Sequence, residues 1–200
     1  MLGVLQRRTG CPFSPLLASR SPVPADHHRS VADSLTGLRR VNLIFEKAPH
    51  VRWYSDLKPF VTALASRLDE FVWRFDAVEG AFPPQGQEDD DFWILSGNAF
   101  ADLVEDHPQF TWAVVSALAK HCSGDEINAL CVPYADGNPT FWTGSPRPQH
   151  PFAEFEIVCW DGSATLLIGA DESIAAAFQT AYPEAIDLDR ENEDRDRTKR

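Results

Sequence analysis

A β-hairpin near the end of the chain is the feature that most constrains the fold. Two apolar runs, residues 155–160 and 164–168, flank the dipeptide Asp161-Gly162. This dipeptide tolerates the positive φ angles of a type I′ turn, whose twist matches that of two antiparallel strands. An isolated hairpin is only marginally stable in water, so the pair is expected to belong to a larger antiparallel sheet.

A second strand is predicted where residues 71–77 alternate between two kinds of side chain. The aromatic residues fall on one face, whereas Arg74 and Asp76 fall on the other. A period of two is typical of a strand with one buried face and one solvated face. We therefore expect Arg74 and Asp76 to point into solvent.

Two longer helices and several shorter elements complete the pattern. The first helix follows Asp56, and its apolar residues have the spacing of one buried stripe: Leu57, Phe60, Val61, Leu64 and Leu68. The second follows Asp171, with Ile174, Ala177, Phe178 and Ala181 on its inner face. Short strands are predicted at 41–46, 92–95 and 110–119, a short helix at 98–105, and another that residues 123–126 start and that lies near 127–130. The sequence thus predicts an α+β fold with a mainly antiparallel sheet of about six strands.

The two ends of the chain differ in composition from the middle. Residues 1–40 are rich in Ser, Pro and Arg, and all six tryptophans follow residue 50. This stretch has three interpretations. It is a disordered leader, a targeting peptide, or a run of residues ahead of a true start near Val41. Residues 189–200 alternate charges without an apolar side chain, which predicts a disordered, solvated tail. Residues 41–188 are therefore expected to form a single domain.

Charge excludes some classes of function. Residues 41–188 carry 23 acidic and seven basic side chains, a formal charge of −16, and the whole chain carries −12. A general nucleic-acid binder needs a basic face, so that class is excluded. No apolar run approaches the ~18 residues of a membrane span. The four cysteines lack CxxC spacing, which favours reduced thiols in the cytoplasm.

One group of residues could perform acid–base chemistry. Glu154 and Glu156 lie two positions apart on a predicted strand, so their side chains are expected to point the same way, close to His150. A small hydrolase could use these three residues if they converge and one carboxyl group has a perturbed pKa. However, Phe155 and Ile157 alternate with the glutamates, and we favour a solvated strand face.

Metal and cofactor sites are not predicted. Among the metal-ligating residue types, only the adjacent pair His121-Cys122 is closely spaced, and neighbouring side chains usually diverge. The chain has no glycine-rich phosphate loop. We therefore expect neither a metal nor a cofactor.

Two loops carry candidate contact residues for a protein partner. Residues 80–91 include four consecutive acids, and residues 133–151 place aromatic side chains among turn residues, where burial is hard to arrange. Exposed aromatic side chains often anchor interfaces. The predicted contact residues are Glu88, Asp89, Asp90, Asp91, Tyr134, Asp136, Phe141 and Trp142.

The residues of the second loop and the hairpin also carry a family resemblance. The runs are Pro133-Tyr134-Ala135-Asp136-Gly137, Phe141-Trp142, residues 150–157 and Trp160-Asp161. Over residues 41–188 the chain resembles small acidic bacterial proteins, some of which are similar to immunity partners encoded beside polymorphic toxins. The resemblance implies a single-domain inhibitor that binds its target and does not catalyse. It carries over no specific binding residue.

These observations favour a non-catalytic, cytoplasmic binding protein. Its expected partner is a basic protein, such as a nuclease-like toxin, because opposite charges steer two proteins together. The hydrolase that uses His150, Glu154 and Glu156 is the alternative. A sensory or scaffold module with another partner is the third possibility.

Overall fold

An antiparallel sheet organises the part of the chain that this computed structural model describes, residues 40–49, 51–88, 90–107 and 109–198. The strands are β1 (Val41–Phe45), β2 (Phe71–Glu79), β3 (Phe92–Leu95), β4 (Trp112–Ala119), β5 (Ala153–Trp160), β6 (Ala164–Ala170) and β7 (Ile186–Asp187). They pair in the order β3-β2-β4-β5-β6-β1-β7. The described sheet has seven strands rather than about six, because the two-residue β7 adds to β1.

The predicted hairpin is confirmed as β5 and β6. Asp161 and Gly162 have φ angles of 49° and 57°. The amide of Ser163 donates to the carbonyl of Trp160 at 2.8 Å and closes the turn. Two positive φ angles in sequence define the type I′ geometry that the dipeptide predicts. The strand predicted at 110–119 is confirmed as β4, which begins at Trp112 and pairs with both β2 and β5.

Five α-helices lie in the described chain, whereas the sequence predicted four, two longer and two short. They are α1 (Lys58–Leu64), α2 (Gly97–Asp106), α3 (Gly124–Ile127), α4 (Glu172–Ala181) and α5 (Leu188–Thr198), with 3₁₀ turns at Ala65–Glu70 and Pro139–Trp142. Helix α2 begins at Gly97, and its N-cap is Ser96, whose side chain accepts from the Ala99 amide, rather than Asn98. Helix α3 ends at Ile127, so Leu130 lies outside the helix predicted for it. No described helix combines the length and the apolarity needed to cross a membrane.

Helices α1, α2 and α4 cover one face of the sheet. The apolar stripe predicted for α1 and the following turn is confirmed, since all five of its residues are buried. Their side chains join Trp73, Phe75, Phe100 and Phe178 in one core, with Phe60 and Phe178 packed edge to face. Burial of these large aromatic side chains, together with aliphatic ones, stabilises this face of the sheet.

The opposite face of the sheet is buried as well, contrary to the prediction for β2. Residues of the long stretch between β4 and β5, together with α5, cover a second apolar cluster that includes Ile44, Val158 and Phe141. Farther along the same face, Arg74 and Asp76 are 2% and 1% exposed. The period-two pattern was correct for the strand, but it does not distinguish a solvated face from an interior polar layer.

The end of the chain is helical, and the predicted disordered tail is wrong for residues 189–198. In α5, Asn192 is buried and its amide nitrogen donates to the carbonyl oxygens of Phe141 and Gly144, at 3.0 and 3.1 Å. The alternating charges form helical pairs such as Glu191–Arg195, at 3.3 Å. The predicted leader lies outside the described residues, except for Arg40.

Candidate functional site

A row of polar residues crosses three strands on the second face of the sheet. Arg74 on β2 is in register with Ser116 on β4, which is in register with Glu156 on β5. Residues in register on neighbouring strands project from the same face at close range. All three are buried, together with Asp76 and His150. The fold therefore places a charged cluster in the interior.

Asp76 neutralises the buried guanidinium of Arg74. Nη2 of Arg74 lies 2.8 Å from Oδ1 of Asp76, and Nε lies 3.0 Å from Oδ2. The ring of Phe92 lies 3.9 Å below the guanidinium carbon. Burial raises the pKa of Asp76, while the hydrogen bonds and charge of Arg74 oppose that rise. Two parallel N–H···O bonds make this a strong, directional pair.

The same guanidinium holds the segment that follows α3. Nη1 of Arg74 donates to the carbonyls of Ile127 and Ala129, at 2.9 and 3.2 Å. Nη2 donates to the carbonyl of Cys131, at 2.9 Å. These three carbonyls belong to alternate residues of the chain, and the several N–H donors of one planar guanidinium bind all of them. Arg74 thus ties this segment to the sheet.

Glu156 holds a second segment by the opposite kind of contact. Its Oε1 accepts from the Ser116 hydroxyl at 3.2 Å and from the His150 amide at 2.7 Å. Its Oε2 accepts from the Gln149 amide at 2.8 Å. Burial raises the pKa of Glu156 to about 7, although these three donors favour the ionised form. The carboxylate therefore fixes the chain just before β5.

His150 connects the two segments. The amide of Phe152 donates to Nδ1 of His150 at 3.3 Å, which places the ring proton on Nε2. Nε2 lies 3.3 Å from the carbonyl oxygen of Ile127. The imidazole is fully buried. Its two ring nitrogens thus bridge the start of β5 to the segment that Arg74 holds.

Glu154 does not join the other two residues of the hydrolase alternative. Ala117 pairs with Phe155 and Leu118 pairs with Ala153, so Glu154 is the extra residue of a β-bulge. Its carboxylate is half exposed and lies 3.7 Å from Arg40. Glu156 and His150 do lie together, but both are fully buried. The two glutamates are therefore in different environments, and the solvated strand face expected for both holds only for Glu154.

The predicted acidic contact residues lie at the surface where they are described. Glu88, Asp90, Asp91 and Asp136 are exposed, whereas Asp89 lies outside the described residues. Asp90 and Asp91 line a cleft of about 570 Å³ beside β3. Asn128 also lines this cleft, so the acidic loop and the segment that Arg74 holds meet there.

The predicted aromatic contact residues have three different fates. Tyr134 is 47% exposed, as a contact residue requires. Phe141 is completely buried in the second core, so it does not reach the surface. Trp142 is half-buried between Trp160, with 4.8 Å between ring centroids, and the guanidinium of Arg195. The burial of Phe141 and Trp142 could not be predicted from the sequence, because it depends on α5, which is distant in the chain.

Two exposed apolar residues were missed by the sequence analysis. Leu130 is fully exposed and Val132 is 78% exposed. They lie on the segment whose carbonyls Arg74 binds. The available signal was a pair of large apolar residues at alternate positions just ahead of Pro133, at and beyond the end of the helix predicted near 127–130.

The thiols and potential metal ligands form no further site in the described chain. Cys122, Cys131 and Cys159 are unpaired. Burial raises the pKa of all three thiols, which keeps them protonated and weakly reactive. Among the described residues, no group of three His, Cys, Asp or Glu side chains could hold a metal ion.

Comparison with protein-family models, curated proteins and solved structures returns no match. What this chain does must therefore be inferred from its own residues and their geometry.

Proposed function

We propose that this chain is an acidic, non-catalytic binding protein whose partner is a basic protein. In its most specific form, the proposal is an immunity-type inhibitor of a basic, nuclease-like toxin that acts in the cytoplasm. The observation that carries the proposal is the division of its charges. The groups suited to chemistry are buried and bind the backbone, whereas a large excess of carboxylates remains at the surface.

The buried charges support a structural role. Arg74 is occupied by Asp76 and three carbonyls, and Glu156 by three donors. A catalytic carboxyl group must reach a substrate within hydrogen-bond distance. Glu156 and His150 are fully buried and bind loops, and Glu154 lies apart from them. The raised pKa of Glu156 follows from burial and does not require a catalytic role.

The surface charge supports a basic partner. Residues 41–188 carry a formal charge of −16, and among their described acidic residues only Asp76 and Glu156 are buried. A protein with a basic face would be attracted to this surface, and its association rate would fall as salt screens the field. A nuclease must present such a face to bind nucleic acid.

Co-expression with the product of an adjacent reading frame tests this proposal. We expect the two purified chains to form a complex whose association slows by about tenfold or more as salt rises from low to physiological strength. The matched control is Arg197→Ala, which alters an exposed ion pair of α5 and should leave binding unchanged. Absence of a complex, or an association rate that does not change with salt concentration, would contradict the proposal.

A further inference from the structure

We propose that the basic partner docks on a ridge formed by the side chains of Leu130, Val132 and Tyr134, with its cations on Asp90 and Asp91. This inference rests on the proposed function and specifies its contact surface. The three ridge residues alternate along residues 130–134, a stretch without regular secondary structure, and all are exposed. Soluble proteins seldom expose large apolar side chains in such close sequence, and contiguous apolar patches mark interaction sites.

The backbone beneath the ridge is fixed by a buried ion pair. Arg74 binds the carbonyls on either side of Leu130, those of Ala129 and Cys131, and thereby turns them inward. The side chains of Leu130 and Val132 stay in water, so the fold gains no apolar burial from them. Burying a guanidinium is costly unless it is paired, and Asp76 supplies the pair. A buried ion pair thus fixes the backbone in a position that leaves the side chains of Leu130 and Val132 exposed.

The far end of the ridge is fixed as well. The side-chain oxygen of Gln149 accepts from the backbone amide of Tyr134 at 3.2 Å, and its nitrogen donates to the Tyr134 carbonyl at 3.0 Å. The carboxylate of Glu156 in turn accepts a hydrogen bond from the backbone amide of Gln149 at 2.8 Å. A segment held at both ends loses less conformational entropy when a partner binds.

Charge beside the ridge identifies the chemistry of the partner. Asp90 and Asp91 are exposed and line the cleft beside β3, which Asn128 also lines. Among the described residues, no Lys or Arg forms a salt bridge with either aspartate. Two carboxylates without a salt bridge, in a cleft that Asn128 of the Arg74-bound segment also lines, fit a partner surface with an apolar centre and a cationic border. A second copy of this chain would bring the same excess of negative charge, which disfavours self-association.

The test uses the complex obtained by co-expression and two pairs of substitutions. Leu130→Ser with Val132→Ser should raise Kd by about tenfold or more, mainly through faster dissociation. Asp90→Asn with Asp91→Asn should slow association and flatten its salt dependence. The matched controls are Val51→Ser and Ile186→Ser, which remove exposed apolar side chains outside both predicted contact loops and should leave Kd within about twofold.

Amide hydrogen exchange on the unsubstituted complex gives a second measurement. Protection of residues 128–134 on complex formation supports the ridge, whereas protection confined to other segments overturns it. If the complex forms but the Leu130 and Val132 substitutions change Kd no more than the controls do, the ridge is wrong and the proposed function stands. If the unsubstituted chain forms no complex, both fall. Crosslinking from Val132 gives a further check. If it captures a second copy of this chain instead of a basic protein, the inference is overturned.

Discussion

Arg74 and Glu156 lie on the two strands that flank Ser116, and each holds a different segment against the same face of the sheet. The cation binds backbone carbonyls, and the anion binds backbone amides. Each charge therefore meets the backbone group of opposite polarity. Arg74 and Glu156 form hydrogen bonds with polar backbone groups of the stretch between β4 and β5. This stretch has little regular structure, yet it can cover this face of the sheet because those backbone groups are satisfied.

Replacing Arg74 should be among the most destabilising changes in the chain. Arg74→Met leaves the carboxylate of Asp76 buried without its partner, and we expect a loss of about 3–5 kcal/mol in unfolding free energy. Urea denaturation at neutral pH measures it. Adding Asp76→Leu to Arg74→Met should recover part of the loss, because the uncompensated charge is removed as well. Equal stability of the single and double variants would show that the ion pair is not the cause.

The ionisation of Glu156 should make stability depend on pH. Its pKa is raised from 4.5 to about 7 in the folded state, so the folded chain binds a proton more tightly than the unfolded chain does. This contribution to stability is complete below the unfolded pKa and is lost as pH rises towards 7. The loss amounts to about 3 kcal/mol. Urea unfolding across this range should show the slope in the natural chain, and Glu156→Gln should remove it.

Ser116 should tune that titration. Its hydroxyl donates to Oε1 of Glu156 and favours the ionised form. Ser116→Ala should therefore raise the pKa of Glu156 further and lower stability by about 1 kcal/mol where the carboxylate is ionised. Carboxyl NMR titration measures the pKa. Ser163→Ala, at an exposed turn, serves as the control. An unchanged pKa in the Ser116 variant would exclude this hydrogen bond.

Asn192 should anchor α5. Its amide nitrogen satisfies two carbonyls of the loop between β4 and β5. Asn192→Ala should cost about 1–3 kcal/mol and expose Trp142, because Arg195 leaves its ring when the helix detaches. A red shift in tryptophan emission would report that exposure. Asn98→Ala, at an exposed position of α2, should change neither stability nor emission. No emission shift in the Asn192 variant would mean that α5 stays docked without this contact.

Local patterns were enough to locate most elements. The Asp161-Gly162 hairpin, the apolar stripe of α1 and the helix after Asp171 all follow from the spacing of neighbouring residues. Such signals are short-range, since a turn requires its own φ angles and an amphipathic helix requires its own repeat. The acidic loop and Tyr134 were also placed at the surface correctly. These features depend on residues that are close together in the chain.

Tertiary structure alone decided what covers each face. Alternation in β2 shows that two faces differ, but whether Arg74 meets water or the carbonyls of residues 127–131 depends on contacts across more than fifty positions. The same holds for Glu156, which a bulge separates from Glu154, and for Phe141, which α5 covers. A charged side chain has the same sequence pattern in solvent and in a satisfied interior, because the groups that satisfy it are distant in sequence.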